Sequence, residues 1–147
     1  MNKVVPLISS GVAGPLGVLH LPRFWLKCVL AAKGMLADGY PDCGKGFDQM
    51  TLDALGLNKD ETLAYLRKEL PSYSQFEAWV LKKKGGKLDP AAVAKHNKAV
   101  VGYNHDDNTR KNIMAGAGVK DEGKIKDAVN LNNLDDWTEF HKALKSS

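Results

Sequence analysis

The sequence predicts an all-α, compact single domain of six or seven short helices with an extended N-terminal arm. Three observations lead there. Capping residues recur just ahead of apolar runs at helical spacing, and glycine or proline closes most of those runs. No segment alternates apolar and polar residues convincingly over five positions; VVPLI (4–8) and GVLHL (17–21) come nearest, and both are short.

Residues 1–20 carry Pro6, Gly11, Gly14, Pro15 and Gly17, and read as an arm with apolar anchors. The helical core spans 21–145. Pro22 suits the first turn of a helix, which FWLKCVLAAKGMLA continues for about four turns. Asp48 is positioned to cap a short helix through Gln49–Leu55 that Gly56 stops. Asn58 with Glu61 makes an Asn variant of the capping box, opening a helix that Pro71 closes at Leu70. Ser74 with Glu77 repeats the device, and Gly85-Gly86 ends that helix after three lysines placed where the helix dipole favours cations. Asp89-Pro90 is a cap followed by proline at the first helical position, with the helix running to about Val101. Asp106 or Asp107 starts another, which fades into Gly116 and Gly118. Asn133 is expected to cap the last helix, with Leu134, Trp137, Phe140, His141 and Leu144 at helical spacing.

The length of 147 residues supports one domain with a sizeable core. Of the 21 basic residues 18 are lysine, so the net charge of +4 reads as a solvating surface rather than a phosphate-gripping one. A nucleic-acid partner is therefore not favoured. The longest apolar segment, 24–36, contains Lys27 and Lys33, which excludes a membrane span there. Pro6 interrupts the apolar patch of the N-terminus well short of a signal-peptide core. Cys28 and Cys43 do not form a disulfide framework, so a reducing, cytoplasmic compartment is expected.

GYPDCGKG (39–46) has the Gly-x4-Gly-Lys spacing of a nucleotide phosphate loop, with Gly46 where a Ser or Thr should stand. Such a loop needs a buried strand before it, a hydroxyl for magnesium and a parallel-sheet scaffold. None of the three can be drawn from this sequence, and Asp42 would set a carboxylate among phosphates.

The first helix is more informative. It is apolar almost all round, yet Arg23 and Lys27 lie four apart and project from one face. Two cations on a buried helix require carboxylates or a bound anion. Asp38, Asp42 and Asp48 are near in sequence and could pair with them. Otherwise Arg23 and Lys27, with His20, hold an anionic substrate in a pocket roofed by Tyr40 and Cys43. Tyr40, Cys43 and Asp48 are the candidate catalytic residues: Cys43 as nucleophile, with His20 as its base, or Tyr40 and Asp48 as acid and base. His96 and Asn97 are expected to bond locally within their helix. His141, like Trp25, Trp79 and Trp137, is expected in the core, and His105-Asp106-Asp107 has a metal cluster's composition without its spacing. No metal or other cofactor is expected.

The run from Gly17 to Cys43, followed by FDQMTLDALGL, resembles a bacterial family of helical domains with no assigned function. The likeness rests on Leu21, Arg23, Lys27, Tyr40, Cys43, Asp48 and Leu55-Gly56-Leu57. It extends to Glu77-Ala78-Trp79, the Asn97 helix and Asp136-Trp137, covering residues 16–145. Leu26 and Val29 stand where that family often has Asp and Arg, which would make any shared site more apolar here. The resemblance implies a compact, mostly helical fold and no particular reaction.

Three function classes remain open. The first is a cofactor-independent lyase, isomerase or hydrolase acting on a small anionic, partly apolar substrate. The second is a helical module binding a small molecule, a protein or a second copy of itself without chemistry. The third is a weak nucleic-acid binder.

Overall fold

The computed structural model describes residues 2–146; Met1 and Ser147, the outer ends of the expected arm and domain, lie outside them. The chain is all-α. Its helices are α1 (Leu21–Ala32), α2 (Phe47–Leu55), α3 (Lys59–Glu69), α4 (Tyr73–Lys83), α5 (Pro90–Gly102), α6 (Asp107–Ala117) and α7 (Ala128–Ser146). No described helix is long and apolar enough to cross a membrane.

Local chemistry sets most boundaries. Asn58 accepts from the Glu61 N–H, Asp89 from Ala91 and Asp106 from Thr109, each a side-chain oxygen satisfying an orphan donor of a first turn. Gly56 closes α2 in the left-handed conformation that glycine adopts without a Cβ penalty.

Three caps differ from expectation. Helix α4 starts at a full capping box made by Ser72 and Gln75, two residues before Ser74. Ser72 follows Pro71 in extended backbone, whereas Glu77 is buried and accepts from the Tyr73 hydroxyl and the Leu16 N–H. Helix α2 has Gly46 at its N-cap, and Asp48 sits inside its first turn. Helix α7 begins five residues before Asn133, where the Asp127 carboxylate accepts from the Asn130 N–H.

The core centres on Leu21, Phe24 and Cys28 of α1, packed with Leu52 and Leu55 of α2, Leu63 and Leu66 of α3, and Phe76 and Val80 of α4. Burying each large apolar side chain contributes about 1.5–3 kcal/mol. Helix α5 packs on α2 and α7, and α6 packs on α7. Trp25 and Trp79 border the core, with Trp79 stacked on Tyr65 at 4.4 Å between centroids. Trp137 does not join them. It is 62% exposed, and Phe140 and His141 are exposed too, because α7 turns its Ala128, Leu131 and Asp136 face inward instead.

Among the described residues the arm contains no helix, and one bridge pairs its Val4 with Leu36. Many of its backbone groups pair with other backbone groups, and several more are met by side chains reaching out of helices. The Arg23 guanidinium donates to the carbonyls of Pro6 and Ile8. Asn97 spans Leu19 N–H and the Gly17 carbonyl, and His96 Nε2 lies 3.0 Å from the Leu19 carbonyl. His96 and Asn97 therefore bond across the fold rather than locally, because both face the arm from α5. Buried peptide groups must find partners, and buried Arg23 and His96 with half-buried Asn97 supply them.

Gly14 sits where the arm crosses α4. A Cβ there would lie 2.7 Å from Glu77 Oε2 and 2.8 Å from the Tyr73 hydroxyl, besides striking the Tyr73 ring. Gly14→Ala is expected to cost about 1–3 kcal/mol by overpacking, read as a lower urea midpoint with unchanged slope.

Candidate functional site

The arm, the N-terminus of α1, the 39–46 turn, the start of α2 and the first half of α7 meet around a cavity of about 290 Å³. Its floor is ionic and its walls are partly aromatic. Ser10, His20, Arg23, Lys27, Asp48 and Asp136 form the buried floor. Tyr40, Phe47, Tyr103, His105, Asn132 and Asp135 line the more open part.

His20 is the N-cap of α1 and occupies the left-handed region, with φ of 74°. A non-glycine residue there carries about 1–3 kcal/mol of strain, and the strained backbone turns the imidazole away from capping duty. Its Nε2 lies 2.6 Å from Asp48 Oδ1, and its Nδ1 lies 2.9 Å from Ser10 Oγ. The other Asp48 oxygen accepts from Lys27 Nζ at 2.5 Å and from the Gly44 N–H at 2.7 Å. The glycine turn thus folds back onto the carboxylate, which also sits where the N-terminus of α2 favours negative charge.

Protonation follows from these partners. Burial lowers the His20 pKa from 6.5, and the Asp48 hydrogen bond does not fully offset it, so the imidazole is neutral at pH 7. For Asp48, burial works to raise the pKa, but the His20 hydrogen bond and the Lys27 charge outweigh it and hold the carboxyl below 3.8. An ionised Asp48 accepts the Nε2 proton. That leaves the Nδ1 lone pair to accept the Ser10 hydroxyl proton.

Arg23 makes a two-pronged pair with Asp136 at 2.6 and 3.1 Å, both groups almost fully buried. The Tyr40 hydroxyl donates to the same carboxylate at 3.0 Å. Burial, then the Asp136 charge, push the Tyr40 phenol far up, so it stays a hydrogen-bond donor.

The sequence-derived candidates therefore separate. His20, Arg23, Lys27, Tyr40 and Asp48 converge on one cavity. Of the three acids weighed as partners, Asp48 meets Lys27, whereas Asp38 reaches only Lys3 at the surface and Asp42 pairs with Arg67. Arg23 finds its carboxylate 113 residues away. Cys43 lies outside the cavity lining and packs against the core, and burial pushes its thiol up, away from the reactive thiolate.

Sequence reasoning gave no site role to Ser10, Asp135, Asp136, Tyr103 or Asn132, and it set His105 aside within a run that has a metal cluster's composition without its spacing. His105 in fact bridges to Asn132 Oδ1 at 2.7 Å across the cavity. Of those given no role, only Asp136 is singled out by the sequence at all, as part of the Asp136-Trp137 pair in the family resemblance.

Comparison with protein-family models returns no match to this chain. Comparison with curated proteins returns none either.

Proposed function

We propose that the protein is a small hydrolytic enzyme working without a cofactor, with Ser10 as nucleophile and His20 as its base. The observation that carries this reading is the Ser10–His20–Asp48 chain, in which a hydroxyl, a neutral imidazole and an ionised carboxylate follow in hydrogen-bond contact at 2.9 and 2.6 Å. In this reading Ser10 Oγ attacks the acyl carbon of a small ester or amide as its proton passes to His20 Nδ1. The leaving alcohol or amine departs with that proton. A water then gives its proton to the same nitrogen, its hydroxide releases the acid, and Ser10 regains its hydrogen. Asp48 stays ionised throughout and stabilises the transient imidazolium, while Lys27 keeps Asp48 in place.

Ser10 is only 1% exposed, so a substrate must be small enough to reach the cavity floor. The anion-holding role expected of Arg23 and Lys27 loses support, since each cation already meets a carboxylate. The cytoplasm as compartment fits two free cysteines, and the likeness to the helical bacterial family is part of this reading without supplying a reaction.

One observation favours a binding module without chemistry. Among the described residues no buried side-chain nitrogen or oxygen lacks a partner, so the floor is also a self-sufficient scaffold. A fluorophosphonate probe separates the two. The enzyme reading expects one adduct per chain on the Ser10 peptide by mass spectrometry, absent in Ser10→Ala and slowed about 10²-fold or more in His20→Gln. No adduct on folded protein would leave the binding module as the reading to keep.

A further inference from the structure

The cavity contains one charge that the protein does not balance. Arg23 is matched by Asp136, Lys27 by Asp48, and His20 is neutral. Asp135 lines the same cavity half-buried, and among the described residues its carboxylate accepts no hydrogen bond and makes no salt bridge. Its charged neighbours are two acids and two bases, and the acids act on it more strongly. Burial, then Glu139 and Asp136, raise its pKa, while Lys142, already bonded to Glu139, and Arg23 only partly oppose them. A carboxylate in that position gains from any donor that enters.

The same cavity has an aromatic lining. Phe47 and Tyr103 meet edge to face at 5.5 Å, and Tyr103 continues to His105 at 6.3 Å. The Tyr40 ring already carries the Arg23 guanidinium 5.9 Å from its centroid. Electron-rich ring faces sharing a cavity with an unpaired carboxylate favour a cation over an anion. The volume of about 290 Å³ sits at the small end of ligand cavities.

We propose that this cavity takes a small molecule bearing a primary ammonium group, with Asp135 as its anchor and Phe47 and Tyr103 packed against its apolar part. Resting on the hydrolytic reading, this makes the substrate class a small amino-substituted ester or amide. The substrate's charge is thus opposite to the one expected from Arg23 and Lys27 alone.

The test compares three molecules of one shape: benzylammonium, benzyl alcohol and benzoate. Binding is followed at pH 7 by amide shifts of Gly39, Gly44 and Gly46, which line the cavity. Benzylammonium is expected to bind at least about tenfold tighter than benzyl alcohol, with benzoate weakest; a tenfold ratio corresponds to about 1.4 kcal/mol. Asp135→Asn, isosteric and half-exposed, should fold normally and bring the two affinities within about twofold. Benzoate binding best, a cation preference surviving Asp135→Asn, or no binding of any of the three at millimolar concentration would each overturn the assignment. Serine labelling is scored separately. An adduct on Ser10 with no cation preference removes the substrate class alone, and a cation preference without an adduct removes the hydrolase alone.

Discussion

Asp136→Ala is expected to destabilise the fold by about 3–5 kcal/mol, the cost of leaving one member of a buried ion pair uncompensated. Arg23, only 6% exposed, would lose the carboxylate it is hydrogen-bonded to. The Tyr40 hydroxyl would lose its acceptor as well. Removing both charges with Arg23→Met and Asp136→Leu distinguishes two contributions. An isolated buried pair can often be replaced by apolar residues at little cost. Here Arg23 also donates to the Pro6 and Ile8 carbonyls, and each orphaned buried carbonyl costs about 1–3 kcal/mol. The double variant should therefore recover only part of the loss in urea denaturation. Full recovery would show that the guanidinium does not hold the arm.

Asp48→Ala is expected to cost a similar 3–5 kcal/mol, because it strips acceptors from Lys27, His20 and the Gly44 N–H together. The wild-type protein should also carry an acid signature of this cluster. In the fold His20 titrates below 6.5, so the unfolded chain takes up a proton first as pH falls. Its contribution is complete above 6.5 and is lost as pH drops through the folded value. Asp48 behaves alike at lower pH, its contribution being present above 3.8 and lost as pH falls through its depressed folded value. The thermal midpoint should thus fall in two stages on acidification, the first beginning below about pH 6.5. A midpoint flat from pH 7 to pH 5 would contradict a neutral buried His20.

Much of the fold was legible because short-range chemistry decided it. Asn58, Asp89-Pro90, Asp106, Gly56 and Pro71 each act within four residues of themselves, and each set a boundary where expected. Ser74 misled because Ser72 and Gln75 satisfy the same capping rule two residues earlier. Glu77, whose spacing suggested a cap, was instead drawn inward by Leu16 and Tyr73, a contact decided at a separation of 61 residues. The candidate site divides along the same line. Arg23, Lys27 and Asp48 could be read as a problem in charge balance, since cations on an apolar helix demand an answer. Asp136 could not be read as that answer, nor Ser10 as the partner of His20. A serine among small residues and an acid on a far helix have no periodicity that announces their burial.

The Arg23–Asp136 link joins the first helix to the last across 113 residues. Closing so long a segment has an entropic cost that local pairs do not carry. During synthesis the apolar core of α1 to α4 can therefore gather while α7 is still inside the ribosome, but the cavity cannot. Until α7 emerges, Arg23 lacks its carboxylate and Pro6 and Ile8 lack a firmly held donor. The nascent chain would then hold residues 14–19 of the arm on α4 and α5, with the stretch around Pro6 and Ile8 loosely held and the relay floor open to water. The pocket is completed late in the life of each molecule, and a chain stalled before α7 can be well packed yet lack the wall that Asn132, Asp135 and Asp136 provide.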